Sequence, residues 1–254
     1  MDINMKRVEA DDEQYLTLAL RLSIAMLRNG GETYRAEECA RNILSSGGAK
    51  EIEILALPTG MTVTAEYNGQ TFTRVRTLRV RENNLGNIDL LNTISREVSA
   101  GKIHAEQAIN RVAEIELLSI GLLKKSVCAC ISSAFFTVIF GGGILEFSLA
   151  LYVAFIAQLF ITLLKKMGSL SFFSNMGGSI LTAVLAKLCL FMFPDINMGV
   201  IIIGGIMPLL PGLATINAIR DTLYGDLISG AARGVEALLS AVSIAAGVAL
   251  VLSI

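Results

Sequence analysis

The chain is short of charged residues, and those it has are unevenly distributed. Only 17% of its 254 residues are charged and 53% are hydrophobic, whereas a soluble domain averages about 25% charged. Residues 1–125 hold 17 acidic and 16 basic residues, against five of each in residues 126–254. The formal net charge of −1 gives no support to nucleic-acid binding. We therefore predict a soluble first half, no nucleic-acid partner, and a second half embedded in a lipid bilayer.

Histidine and cysteine, which supply many catalytic and metal sites, are also scarce. His104 is the only histidine and has no triad partners near it in the sequence, so we predict an exposed or helix-capping residue. The chain contains no Gly-x-Ser-x-Gly, His-Glu-x-x-His or phosphate-binding-loop pattern. Its four cysteines lack paired spacing and are predicted to be buried apolar side chains. We therefore predict no catalytic residue, no metal site and no cofactor.

The first half has the periodicities of a small α+β domain. Asn68-Gly69 is a strong hairpin signal between two alternating segments, and Asn29-Gly30-Gly31 marks the end of a helix. The pattern predicts a domain over residues 1–120 with an antiparallel three-stranded meander. Its polar, acidic start resembles neither a signal peptide nor a transit peptide, so we expect a cytoplasmic location. The predicted helices span 15–27, 33–44, 85–99 and 103–120, and the predicted strands span 51–57, 61–67 and 71–80.

Two groups of charged residues in this half have simple structural explanations. Glu32, Glu37 and Glu38, together with Arg35, begin a predicted helix, where the helix dipole favours acidic side chains. An acid/base pair is the less favoured alternative. The alternating arginines of residues 73–81 are predicted to line one solvated face of the sheet, with an anionic ligand or lipid headgroups as the alternative.

Five apolar segments in residues 121–254 are long enough to span a bilayer, which needs ~20 residues. Basic residues precede the first segment and occupy two of the connections, whereas the connections that would lie on the other side carry none. Because basic residues favour the cytoplasmic side, the N-terminus is predicted inside and the C-terminus outside. We therefore predict an α-helical inner- or plasma-membrane protein with five transmembrane helices. The predicted spans are 126–143, 144–164, 172–193, 199–219 and 235–254.

The fourth predicted span contains two prolines, Pro208 and Pro211, followed by Gly212. Each proline removes a backbone donor and clashes with the carbonyl group four residues earlier. Because unpaired backbone groups cannot face lipid, the break is predicted to face protein or a water-filled cavity. Many transporters bind their substrate at interrupted membrane helices. The sequence therefore predicts a substrate site near this break.

Five charged residues follow the break within 17 residues, in a half that has only ten. We predict that these residues and Asn217 hold the substrate or carry protons, and a solvated loop position is the alternative for any one of them. Lys187, in the third predicted span, either reaches the headgroups by snorkelling or faces a cavity. The predicted substrate or proton pathway comprises Pro208, Pro211, Gly212, Asn217, Arg220, Asp221, Asp226, Arg233, Glu236 and Lys187.

Many of the same residues resemble the hallmark of the threonine/serine exporter family. The early glycine-plus-helix motif of that family resembles residues 29–38, and its strand-turn element resembles Pro58-Thr59-Gly60-Met61. The resemblance covers nearly the whole chain. In the second half it rests on Gly205-Ile-Met-Pro208-Leu-Leu-Pro211-Gly212, Asn217-Ala-Ile-Arg220-Asp221, Gly225-Asp226 and Gly230-Ala-Ala-Arg233-Gly-Val-Glu236-Ala.

The resemblance implies export of small hydrophilic metabolites, threonine and serine in some members and succinate in others, driven by the proton-motive force. Family members are one chain with ten spans or two separate chains. This chain resembles the larger, amino-terminal subunit of the two-chain type, which implies a second small multi-span membrane subunit as partner. Two alternatives stay open. A membrane-anchored cytoplasmic hydrolase would depend on His104, and a non-catalytic membrane scaffold would leave the double-proline break unexplained.

Overall fold

A computed structural model describes residues 2–79, 82–118 and 120–254. The chain forms two compact units. The first comprises Met1–Ser119 and Leu213–Gly234, and the second comprises Ile120–Gly212 and Val235–Ile254. The predicted division into 1–120 and 121–254 follows the chain linearly. The observed units differ from it because residues 213–234, which contain much of the predicted site, belong to the first unit.

The first unit has the predicted order of two helices, three strands and two helices. The first helix extends further towards the N-terminus than its apolar stripe, because polar residues with good helix propensity continue it. Outside the described residues lie Val80 at the end of the predicted third strand, Arg81 of the alternating arginines, and Ser119 in the predicted last helix. The elements are α1 Asp2–Arg28, α2 Thr33–Ser46, β1 Lys50–Leu57, β2 Gly60–Tyr67, β3 Gln70–Thr77, α3 Leu85–Ser99 and α4 Ala105–Leu117.

The three strands form an antiparallel meander in the order β1-β2-β3, as predicted. Asn68 and Gly69 have φ angles of 51° and 82°, as a two-residue type I′ hairpin requires. Alternate residues of β2 are buried on the face that contacts α1. The buried core of this unit draws on both helices and sheet and includes Leu18, Leu22, Met26, Ile43, Met61, Val63, Leu91 and Val112.

The arginines of β3 are exposed, as predicted, on a face of the sheet that also contacts α1. Arg76 is opposite Met61 and Arg74 is opposite Val63 in the register, and directly opposed residues of an antiparallel pair point to the same side. Because Met61 and Val63 are buried, both arginines lie on the core side of the sheet. They remain exposed because β3 is an edge strand, and Arg74 forms an ion pair with Glu13 of α1. The two arginines therefore share one face and are solvated, as predicted, although that face also packs on α1.

Six further helices follow, separated by short turns. Four of them, α5, α6, α7 and α10, are long and apolar enough to cross a bilayer, and the bent pair formed by α8 and α9 would be a fifth if it counts as one span. Over the described residues, the protein is therefore mostly helical, with four or five candidate membrane spans and one small sheet. The helices are α5 Leu122–Ile139, α6 Ile144–Lys166, α7 Ser171–Met192, α8 Met198–Ile206, α9 Gly212–Leu223 and α10 Leu227–Leu252, with a 3-10 turn at Met207–Leu209 after α8.

The last helix begins earlier than predicted. The sequence predicts a loop over residues 220–234 and a span from residue 235, but α9 continues to Leu223 and α10 starts at Leu227. Arg233 therefore lies within a helix. The small residues between Ser229 and Gly234 lower the hydropathy of this stretch, so it does not match the pattern of a spanning helix. These residues nevertheless allow close helix packing.

The helix α8 packs closely against its neighbours in the second unit. A Cβ atom added at Gly204 would lie 2.8 Å from the carbonyl oxygen of Ser133 in α5, and one at Gly205 would lie 2.6 Å from Cγ2 of Thr182 in α7. Such close approach needs glycine. The buried residues around α8 are Ala150, Val153, Ala183, Ala186, Ile196, Ile201, Ile202 and Val251.

The predictions for cysteine and for histidine have different outcomes. Cys39 is buried, but Cys128 is exposed, because an apolar helix in a bilayer can place such a side chain against lipid instead of protein. The prediction of four buried cysteines is therefore wrong. His104 is exposed at the N-cap of α4, as predicted, and its side chain does not cap the helix.

Candidate functional site

A glycine-led turn connects α1 to α2. The backbone N–H of Gly31 donates to the carbonyl oxygen of Met26 at 2.9 Å, and that of Gly30 donates to Leu27 at 3.2 Å. This is the Schellman pattern, whose C′ residue adopts a left-handed conformation. Gly30 has a φ of 92°, which favours glycine. The turn leaves the carbonyl groups of Gly30 and Gly31 beyond the end of α1, where they need other partners.

The same pattern ends α9. Gly225 has a φ of 94°, and the backbone N–H of Asp226 donates to the carbonyl oxygen of Asp221 at 2.8 Å. The sharp turn lets the chain enter α10 at Leu227. As a result, polar residues of α9 and the start of α10 can face the same stretch of α2.

Five consecutive residues, Gly30 to Tyr34, each contact a residue of the segment Leu213–Gly234. Both stretches belong to the first compact unit. We call these contacts the 30–34 junction. The partners are Asn217 for Gly30, Arg233 for Gly31, Arg220 for Glu32, Asp221 for Thr33 and Tyr224 for Tyr34.

Asp221 is the most buried charge of the junction, with 0% of its side chain exposed. The backbone N–H of Thr33 donates to Oδ1 at 3.1 Å, and the Thr33 hydroxyl donates to Oδ2 at the same distance. Arg233 Nε lies 2.9 Å from Oδ2 in an ion pair. Thr33 is the first residue of α2, so the carboxylate also lies at the positive end of a helix dipole. Each oxygen therefore has a partner, which offsets the cost of burying the charge.

The carbonyl groups that follow α1 are satisfied from the 213–234 segment. Arg233 Nη2 donates to the carbonyl oxygen of Gly31 at 2.7 Å, and Asn217 Nδ2 donates to that of Gly30 at 2.8 Å. Both side chains are buried, with 3% of Arg233 and 2% of Asn217 exposed. Arg233 thus joins Asp221 to the α1–α2 turn and makes the junction one connected polar network.

A second ion pair lies at the edge of the junction. Arg220 Nη1 donates to Oε1 of Glu32 at 2.5 Å, and Arg35 Nε lies 3.8 Å from Oε2. The side chain of Glu32 is 9% exposed, whereas that of Arg220 is 51% exposed. Tyr34 stacks on Tyr224 with ring centroids 4.1 Å apart. The outer contacts are therefore partly solvated, in contrast to the buried pair.

Two further acids, Glu37 and Asp226, lie beside the junction. Glu37 is one helical turn after Thr33 and accepts a hydrogen bond from the backbone N–H of Ala56 at 2.9 Å. Burial raises the pKa of the Glu37 carboxyl, and the charge of Asp226 raises it further. Burial and the nearby Asp221 likewise raise the pKa of Asp226. Both acids therefore bind a proton more readily than a solvated carboxyl.

The remaining predicted residues lie in the second unit. Pro208 is in the 3-10 turn after α8, and Pro211 and Gly212 are at the start of α9. Lys187 is exposed on α7, and Glu236 is exposed on α10. The structure joins Asn217, Arg220, Asp221 and Arg233 through the junction, with Asp226 beside it. The participation of all ten residues in a substrate or proton pathway stays a prediction.

Comparison with known proteins identifies the family of the chain. The model of the ThrE family, described as "putative threonine/serine exporter", matches residues 17–254 and so includes both stretches of the 30–34 junction. The chain belongs to the threonine/serine exporter family. No curated protein and no solved structure matches it.

Membership of the threonine/serine exporter family confirms the resemblance noted in the sequence. The family and the apolar helices together make this chain a multi-pass membrane protein of a transport family. A transporter family agrees with the prediction that the chain is not an enzyme. Its assignment to the two-chain type stays a prediction.

The structure adds site residues that sequence reasoning missed in this exporter-family chain. The sequence pattern assigns Glu32 and Thr33 only to the start of a helix. In the structure, Glu32 accepts a hydrogen bond from Arg220, and Thr33 donates one to Asp221. A signal was present, because both the 29–38 stretch and the 217–236 stretch resemble the family. Nothing in the spacing of one sequence shows that two stretches 188 residues apart meet.

Proposed function

We propose that this chain is the membrane subunit of a secondary exporter that moves small hydrophilic metabolites out of the cell. The substrates are threonine and serine, or a dicarboxylate such as succinate, and protons drive the transport. The family supports an exporter. The observation that carries the proposal is the buried pair of Asp221 and Arg233, which joins α9 and the start of α10 to the start of α2. Buried charges in membrane transporters typically serve substrate or proton movement.

The break between α8 and α9 supports a water-filled passage. Pro208 and Pro211 lie where the helix is interrupted, and such a break is tolerated in a membrane only beside protein or water. We propose that Pro208, Pro211 and Gly212 line the passage.

A second small multi-span subunit completes the passage in this proposal. Four or five spans are few to enclose a central cavity, and many transporters are built from paired repeats. We further propose that the N-terminus lies inside the cell and the C-terminus outside, because the basic residues flank the spans on one side.

An efflux assay tests the proposed function. Cells that express the chain together with its partner subunit are loaded with labelled threonine, serine or succinate, and loss of label is followed over time. We expect faster efflux of at least one substrate than in cells without the chain, and a protonophore should abolish the difference. Unchanged efflux of all three substrates would contradict the proposal.

Two variants test the site in the same assay. Asp221→Asn removes the charge that Arg233 faces, and Pro211→Ala restores a backbone donor at the break. Both should reduce efflux by tenfold or more, while immunoblots show normal amounts in the membrane. Asp89→Asn, which changes an exposed acid of α3, is the matched control and should transport normally. Efflux at the control rate from both variants would remove the site assignment.

A further inference from the structure

Asp221 is held as a bound carboxylate ligand would be held. Its two oxygens accept hydrogen bonds from the backbone N–H and the hydroxyl of Thr33, each at 3.1 Å, and Oδ2 lies 2.9 Å from Arg233 Nε. These partners combine a helix N-terminus, a hydroxyl group and a guanidinium group, all of which favour an anion. Since Arg233 is only 3% exposed, the site also excludes most water.

The groups around this carboxylate are held together without Asp221. Arg233 Nη2 donates to the carbonyl oxygen of Gly31 at 2.7 Å, and Gly31 lies two residues before Thr33. Thr33 is fixed as the first residue of α2. Asp221, in contrast, comes from α9. If the Asp221 side chain withdraws, the hydrogen bond between Arg233 and Gly31 does not depend on it, and Thr33 and Arg233 exchange the Asp221 carboxylate for another anion.

We infer that Thr33 and Arg233 form a carboxylate-binding site, which Asp221 occupies in this conformation and which the carboxylate of a transported substrate takes over when Asp221 leaves. This inference rests on the proposed function, since threonine, serine and succinate all carry a carboxylate. It makes Asp221 an internal competitor. A substrate then binds only the fraction of molecules in which Asp221 has left, so its apparent affinity is reduced by that fraction.

The competition predicts an unusual result for loss of Asp221. Removing an ordinary binding residue weakens substrate binding. Removing an internal competitor strengthens it, because the site is open in every molecule. Asp221→Ala should therefore bind carboxylates at least tenfold more tightly than the unaltered chain, although its transport is impaired because the switch between the two occupants is lost.

Formate tests the site directly, because it is the smallest carboxylate and fits the space that Asp221→Ala leaves. The full-length protein is purified in detergent, and its thermal unfolding is followed with increasing sodium formate against sodium chloride at equal ionic strength. A ligand that binds only the folded state stabilises it. We expect a saturable rise of about 2–4 °C in the melting temperature of Asp221→Ala and no specific rise in the unaltered chain or in Asp89→Ala.

A second set of variants separates binding at this site from a general salt effect. Asp221→Ala combined with Thr33→Val and Arg233→Met keeps the backbone N–H of residue 33 but lacks the hydroxyl and guanidinium donors, so it should lose most of the response to formate. If Asp221→Ala does not fold, Asp221→Ser replaces it, since a serine hydroxyl can still accept from the Thr33 N–H. An equal response of the triple variant, or no response of either single variant beyond that to chloride, would overturn the inference.

Threonine, serine and succinate then test whether the site serves the substrate. At least one of them should displace formate from Asp221→Ala and bind it at least tenfold more tightly than it binds the unaltered chain. Formate binding that none of the three reduces would overturn the assignment of the site to substrate. This result is distinct from a failure of the proposed function, because binding is measured here without transport and efflux is measured in cells.

Discussion

Asp221 and Arg233 differ from the junction's other ion pair, Arg220 and Glu32, because both of their side chains are buried. Their side chains are 0% and 4% exposed, whereas Arg220, which faces Glu32, is 51% exposed. Removing one member of a buried pair leaves a charge without compensation and typically costs about 3–5 kcal/mol. An exposed pair contributes about 0–1 kcal/mol. The two arginines should therefore have very different effects on stability.

Arg233→Gln and Arg220→Gln form a matched pair for this test. We expect Arg233→Gln to lower the free energy of unfolding by about 3–5 kcal/mol, because Asp221 stays buried and charged. Arg220→Gln should lower it by about 1 kcal/mol or less. Chemical denaturation of the detergent-purified protein measures both values. Equal losses in the two variants would contradict the view that the buried pair dominates the junction.

The acids beside the junction make stability depend on pH. The pKa values of Glu37 and Asp226 are raised in the folded state above their ordinary values of 4.5 and 3.8, chiefly by burial. In the window above those values the folded state binds more protons than the unfolded state, so stability falls as pH rises. Below the ordinary values both states are protonated, and this contribution no longer changes with pH.

The double variant Glu37→Gln/Asp226→Asn should lose this dependence. We expect the melting temperature of the unaltered chain to fall more steeply with rising pH, from just above pH 4 upward, than that of the double variant. Asp89→Asn controls for the loss of one acidic side chain, and its melting temperature should fall with rising pH as steeply as that of the unaltered chain. If the melting temperature of the double variant fell as steeply with pH as that of the unaltered chain, Glu37 and Asp226 would not bind the extra protons of the folded state.

The sequence predicted one side of the junction better than the other. Asn217, Arg220, Asp221 and Arg233 stand out because charge and amide groups are rare in an apolar half. Their partners do not stand out, since Thr33 is an ordinary helix start and the carbonyl groups of Gly30 and Gly31 have no side-chain signal. Contacts between distant stretches depend on how the helices pack, which the local pattern of a single sequence does not contain.

Among the secondary-structure elements, regular periodicity was a reliable guide and small residues were not. The strand pairs around Asn68-Gly69 and the helix α3 appear where the patterns place them. The start of α10 was missed because Gly230 and Gly234 lower the apolar score of a stretch that is helical. The contact of the arginine face of β3 with α1 was not predicted, because alternation shows that residues share a face but not which face meets the core.

Gly230 and Gly234 provide an element-level test, because they share α10 but differ in surroundings. A Cβ atom at Gly230 would lie 2.9 Å from the carbonyl oxygen of Ala218 and 3.0 Å from the backbone nitrogen of Thr222, whereas one at Gly234 meets nothing within 4 Å. Gly230→Val should therefore separate α10 from α9 and weaken the ion pair between Arg233 and Asp221. Overpacking of this kind typically costs about 1–3 kcal/mol.

Gly234→Ala is the matched control. It should leave stability unchanged or raise it by up to about 1 kcal/mol, because alanine favours helix more than glycine does. Thermal unfolding and efflux are measured for both variants. Gly230→Val should lose both stability and efflux, and Gly234→Ala should keep both. If Gly230→Val behaved like Gly234→Ala, the close packing of α9 and α10 would not matter for the site.

At the scale of the whole molecule, chain order is a poor guide to the compact units. Residues 213–234 follow four apolar helices in the sequence, yet they belong to the unit built from α1 to α4 and the sheet. Composition alone assigns them to the membrane half because their neighbours on both sides are apolar. The polar side of α9 explains the difference, since Asn217 and Asp221 are buried against the start of α2.

The number of times the chain crosses the bilayer depends on the pair of helices α8 and α9. If the pair crosses once, five spans place residues 224–226 inside and the C-terminus outside, given an N-terminus inside. If the pair turns back instead, α10 begins outside and the C-terminus lies inside. The basic residues near the spans favour the first arrangement. Single cysteines in a variant without the four native cysteines can distinguish the two.

Met167→Cys, Asp195→Cys, Tyr224→Cys and Ser253→Cys place one thiol at an exposed position in each relevant segment. A membrane-impermeant maleimide added to intact cells should label Asp195→Cys and Ser253→Cys, and should label Met167→Cys and Tyr224→Cys only after permeabilisation. Labelling of Tyr224→Cys but not Ser253→Cys in intact cells would instead identify the pair α8–α9 as a re-entrant loop. That result would contradict five crossings, because an even number of spans returns the C-terminus to the side of the N-terminus.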